Sequence, residues 1–194
     1  APSASAAPAA SAPPARTGWD DAAWGRFHSK RFSLWLALPD GKAWRIDDHK
    51  SSWLVATHPP SSSSLGLRIF LEDEAVNRAR CEAHARREDP SLPAETGGHL
   101  VDRGGALPGW DALSLVTTEV KSKPHQPLDI EGHHVTFAAQ VRKCLVVHFA
   151  TRAVGPGADA AVGARLAEAA EIARKIELVD ELQGPGKEKP TPGR

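Results

Sequence analysis

Strict alternation of apolar and other side chains, twice within residues 31–73, limits what this chain can become. Phe32, Leu34, Leu36 and Leu38 alternate with Ser33, Trp35 and Ala37. Leu65, Leu67, Ile69 and Leu71 do the same around Gly66, Arg68 and Phe70. Successive side chains of a strand point to opposite faces, so a period of two predicts strands with one apolar face each. Residues 52–58 (SWLVATH), nearly continuous in apolar character, predict a third strand between them. Joined by Pro39-Asp40-Gly41 and by a Pro-Ser run, the three are expected to form an antiparallel meander.

Trp44 and Ile46 sit among polar residues and suggest a short edge strand within 41–49. Residues 72–89 predict the first helix, with Glu72, Asp73 and Glu74 at its start and Arg86 and Arg87 near its end, matching the helix dipole. Ala75, Val76, Ala79 and Ala83 would form its thin apolar stripe. Residues 94–109 read as a Gly-rich loop with a short strand at 101–103. Residues 110–121 read as a strand rich in β-branched residues. Val135, Phe137, Ala139 and Val141 alternate, and 144–150 follow as another strand, with Arg142-Lys143 at the hairpin tip. Val162, Leu166, Ala169, Ala173 and Ile176 define one face of a last helix, expected to open near Asp159 and run to residue 179. The order predicts an α+β fold: a twisted, mainly antiparallel sheet with two helices packed on it.

A chain of 194 residues is enough for one ordinary domain, expected over 17–182. Residues 1–16 hold only Ala, Pro and Ser before Arg16, and 183–194 are polar; neither buries enough apolar surface to offset its ordering entropy. The first reads as a spacer between a membrane anchor and a folded domain, the anchor being a lipidated cysteine upstream of Ala1. Basic and acidic residues balance at 24 each, which argues against a nucleic-acid binder. No apolar run has the length of a membrane span.

Chemistry-bearing residues are few. Cys81 and Cys144, the two cysteines of the chain, invite one disulfide in an exported protein. On an ideal wheel, however, Cys81 points away from the Val76 stripe, which leaves two separate thiols as the alternative. For a metal, His134 and His148 are the candidates across the presumed hairpin. Adjacent His133 and His134 must point to opposite faces, so only one of them can join His148. Zinc needs three or four converging ligands, and ordinary surface histidines are the competing reading. No Gly-x-Ser-x-Gly elbow and no Gly-x-x-x-x-Gly-Lys loop occurs, so no catalytic residue and no cofactor is expected. Trp19, Trp24, Trp44, Trp53 and Trp110 are candidate partner contacts where exposed, and core where buried.

The stretch FSLWLALPDGKAW, with Trp44 soon after Leu-Pro-Asp-Gly, resembles the start of PsbP-like domains. That α/β/α sandwich superfamily takes in extrinsic photosystem subunits, a Ran-binding import factor and bacterial envelope lipoproteins of the DcrB type. The resemblance implies a non-enzymatic scaffold that binds protein partners, and it carries over no individual residue. Together these readings give an exported accessory protein, periplasmic, outer-membrane-tethered or extracellular, that docks on a larger protein assembly. The alternative is a small-ligand or metal-binding module built on His134, His148 and the Gly-rich loop 94–109.

Overall fold

The computed structural model describes residues 24–93, 107 and 109–179. The expected tails, Trp19, the 101–103 strand and nearly all of the Gly-rich loop lie outside these residues. Among these residues nine strands and two α-helices run in the order β1 Gly25–Ser29, β2 Leu34–Leu38, β3 Arg45–Asp47, β4 Leu54–His58, β5 Ser63–Leu71, α1 Arg78–Glu88, β6 Asp111–Val120, β7 Asp129–Gln140, β8 Lys143–Val154, α2 Ala158–Arg174 and β9 Glu177–Leu178. They build an antiparallel six-stranded sheet, β3-β4-β5-β8-β7-β6, and a small antiparallel sheet, β1-β2-β9. The α+β class expected from the alternation is the observed one.

The 31–73 meander does not form as one unit. β4 and β5 pair as expected, with Leu54 opposite Leu67. β2 instead pairs with β1 and β9, and carries Leu34, Leu36 and Leu38 into the core from a separate sheet. Backbone contact between Gly25 and Gly41 permits this: a Cβ on Gly25 would stand 2.7 Å from the Gly41 Cα. Within the segment that follows the Ala/Pro/Ser tail, Gly25–Ser29 is a strand.

One face of the large sheet is covered by α2 and β2. Val162, Leu166, Ala169, Ala173 and Ile176 are all buried there, as their spacing required, against Ile130, Leu145, Val147 and Phe149. The helix ends at Arg174, short of the expected 179, because β9 turns back to pair with β2. Gly132 on β7 lies directly beneath α2. A Cβ there would come 2.6 Å from Val162 Cγ1 and 2.9 Å from Leu166 Cδ1. Gly132→Val is expected to overpack this seam and cost about 2 kcal/mol, read as a lowered denaturation midpoint. A variant as stable as the parent would mean that α2 is not seated here.

The opposite face is covered by α1 over one half only. This helix starts at Arg78, not Glu72, because Asn77 caps it: Asn77 Oδ1 accepts from Arg80 N–H at 3.0 Å. The shorter helix moves the buried face. Ala75, Ala79 and Ala83 are exposed, while Cys81 and Ala85 face Phe70, Phe137, Ala139 and Val146. The objection to a disulfide disappears with this shift. Cys81 and Cys144 are bonded, their Cα atoms 5.4 Å apart, and both are fully buried.

Candidate functional site

At the end of the sheet next to α1, β7 turns into β8 through Val141-Arg142, closed by the Gln140–Lys143 pair. The expected tip was one residue further on, and Val141 was expected within a strand. In the structure Val141 sits in the left-handed region at φ +53. Asn and Gly suit that position in a two-residue hairpin turn; a β-branched residue there is an outlier. The turn is held by the connection between β5 and α1. Val76 N–H donates to Val141 O at 2.7 Å, Glu72 N–H to Arg142 O at 2.8 Å, and Arg142 Nε to Glu72 O at 2.8 Å.

This turn presents apolar surface to solvent. Val141 is 72% exposed and Leu71, at the end of β5, is 77% exposed. They line a groove of about 430 Å³ with Glu72, Gln140, Arg142 and Lys143. The Glu72 carboxylate is taken up by His84 Nδ1, whose ring packs on Phe70. Arg142 and Lys143 have no carboxylate partner among the described residues. The groove is apolar in its walls and cationic at its rim.

The half of the sheet face that α1 leaves uncovered carries His133 and His148. His134 and His148 are not brought together: His134 is buried on the α2 side, and His148 faces the other way. The residue beside His148 is His133, with its Nδ1 3.2 Å from His148 Nε2 and the rings stacked at 5.4 Å. Register explains the exchange: Val135 stands opposite His148, so the side chain two residues back along β7 is its diagonal neighbour on that face. Burial pushes the His148 pKa down to about 4, reinforced by His133. Burial also lowers His133, against the pull of Glu131, whose carboxylate lies 3.6 Å from His133 Nε2. His148 also lines a cavity of about 230 Å³ with Trp53, Val55, Ser64, Gly66 and Asp89.

The tryptophans divide by burial. Trp44 is core, 7% exposed, with Nε1 donating to Pro39 O at 2.7 Å. Trp24, under the Lys175 ammonium at 4.0 Å, and Trp53 and Trp110 are half-buried and pack against the two cores. Trp35 was overlooked, although the alternation that buries Leu34 and Leu36 turns it outward. It is stacked between His28 and the Arg26 guanidinium on the outer face of the small sheet.

A buried chain of polar groups at the other end of the molecule has the residue types of a hydrolytic triad. His58 Nδ1 lies 2.7 Å from Ser61 Oγ, and His58 Nε2 lies 3.3 Å from Asp40 Oδ2. Ser61 is 2% exposed, and its hydroxyl donates to Ser63 Oγ at 2.8 Å. Ser63 in turn donates to Thr151, and Arg165 on α2 donates to the Ser61 carbonyl and the Thr151 hydroxyl. The network ties the turn after β2 to β4, β5, β8 and α2, and Ser61 and Arg165 also line a cavity of about 510 Å³ with Ser62, Arg152, Pro156 and Ala161. Among the described residues no three His, Cys, Asp or Glu side chains converge as metal ligands, and no helix is long and apolar enough to cross a membrane.

No protein-family model and no curated protein matches the sequence. Among solved structures, the chain is similar to the Ran-binding protein Mog1p of Saccharomyces cerevisiae, at 12% identity and a TM-score of 0.51 over 81% of this chain and 96% of that one. A point variant of Mog1 matches at 12% identity and a TM-score of 0.50, over 82% and 98%. A protein of Bacteroides thetaiotaomicron matches at 14% identity and a TM-score of 0.48; this chain covers 81% of itself there and spans about half of that protein, 49%. The PsbP-like, DcrB-type assignment is corrected by these findings, since the loose Leu-Pro and Trp pattern behind it is met by no family model and the fold leads to Mog1p. The periplasmic, outer-membrane-tethered or extracellular location drawn with it is corrected on the same ground, the structural neighbour being a Ran-binding yeast protein. What the comparisons establish is the fold: a Mog1-like α+β architecture.

Proposed function

We propose that this chain is a non-enzymatic accessory protein whose 17–182 domain docks on a larger protein through the Leu71–Val141 groove. The observation that carries this reading is Val141. A β-branched residue held at φ +53 costs of order 1–3 kcal/mol, and its side chain and that of Leu71 both stand open to water. Folding alone would be better served by Asn at that position, so the side chain is kept for what it touches. Arg142 and Lys143, which meet no carboxylate among the described residues, suit a segment of the partner that sets an apolar side chain beside carboxylates. That Mog1p, on the same fold, is a Ran-binding protein supports protein recognition as the use of this scaffold.

A photo-crosslinking residue at position 71 is expected to capture one defined protein that the same residue at exposed Ala167 does not. With that protein purified, Val141→Asn is expected to raise the stability of the isolated chain by about 1 kcal/mol, because Asn tolerates the left-handed region. The same change is expected to weaken binding on the order of tenfold, the loss of one central apolar contact. A variant that gains stability and binds as before would end the reading.

A further inference from the structure

The geometry points to the His133–His148 pair as a binding site for one late first-row divalent metal ion, independent of the groove at Val141. Two metal–nitrogen bonds of about 2.05 Å, opening at about 100°, span about 3.2 Å. His133 Nδ1 and His148 Nε2 already stand 3.2 Å apart. Cross-strand register on the two longest strands of the sheet sets that spacing, so little ordering is left for binding to supply.

The surroundings favour ligation further. The Glu131 carboxylate beside His133 Nε2 favours the tautomer protonated there, which turns the Nδ1 lone pair toward His148. Without metal, His148 Nε2–H donates to that lone pair. On ligation the His148 proton moves to its own Nδ1, so the pair neither gains nor loses charge. Lys121, 3.4 Å from Glu131, is held by that carboxylate and by Glu119 on the side away from the pair's facing nitrogens. The chain supplies two imidazoles and leaves the other positions to water or to a ligand entering the cavity that His148 shares with Trp53. Imidazole ligands of this kind suit Zn²⁺, Ni²⁺ and Cu²⁺, with Cu²⁺ the tightest.

The test uses Cu²⁺ as its iminodiacetate chelate, which keeps two adjacent positions open for a pair of imidazoles. One chelate per chain is expected, with an electron paramagnetic resonance spectrum showing two protein nitrogens. His133→Ala and His148→Ala should each weaken it on the order of a hundredfold, since the second imidazole binds intramolecularly. His49→Ala, at an exposed histidine, should leave it unchanged. His148→Asn and circular dichroism of each variant separate lost ligation from lost folding. Equal affinity in folded His133 and His148 variants, or a stoichiometry that falls with His49→Ala, would overturn the assignment.

Discussion

Replacing Cys81 and Cys144 together by alanine is expected to lower the stability of the oxidised protein by about 4 kcal/mol, the loop-closure entropy of a cross-link spanning 63 residues. For a domain of this size that is a large share of the whole. The loss should be concentrated in α1, because only Cys81 and Ala85 of its eleven residues are buried. Its remaining contacts with the sheet are made from exposed or half-buried positions, such as Arg68 to Glu88 at 3.4 Å and the His84 ring on Phe70. Urea denaturation of oxidised, reduced and doubly substituted protein measures the first effect. Amide hydrogen exchange along 78–88 measures the second. A reduced protein within about 1 kcal/mol of the oxidised one would show that packing alone holds the helix.

Stability is expected to fall by up to about 3 kcal/mol between pH 6.5 and pH 4 on account of His148, whose pKa drops from 6.5 to about 4 in the folded chain. In that window the unfolded chain binds a proton that the folded chain refuses, so the slope of stability against pH is positive. Above pH 6.5 both forms are neutral and the contribution is flat; below pH 4 both are charged and it is flat again. His133 works in the same direction, and the stacked pair takes up protons jointly rather than ring by ring. Of the carboxylates nearby, Glu131 opposes the effect at His133 and Asp89 at His148. Denaturation with chelator present, from pH 4 to pH 8, should show a shallower dependence in His148→Asn than in the parent. Identical slopes would mean that the pair is already protonated in the folded protein.

Much of this could be read before any coordinates, and the misses have physical causes. The face of α2 was legible because five apolar residues at helical spacing admit no other arrangement. The strands flanking Gly66 and Val146 were legible for the matching reason at period two. Which strands share a sheet was not: Leu34 and Leu65 alternate identically, and nothing local tells β2 to pair with β1 and β9 instead of β4. The start of α1 was misplaced because an acidic run at 72–74 imitates a helix N-terminus, whereas the real cap is Asn77. That error of more than one and a half turns set Cys81 at odds with the disulfide that the two cysteines invite and that forms. The candidate groove was invisible because a one-residue change in the hairpin tip decides whether Val141 lies in a strand or in a strained turn. The histidine pair was nearly found, and was missed by the one residue that flips a side chain through the sheet.

The pairing of β5 with β8 sets Ser63–Leu71 against Lys143–Thr151 at the centre of the large sheet. During synthesis the first half of the chain therefore emerges from the ribosome with its longest strand unpaired along one edge. That edge waits until roughly eighty further residues have been added, since contacts so distant in sequence form late. Interrupting translation anywhere before β8 should leave a nascent chain prone to aggregate.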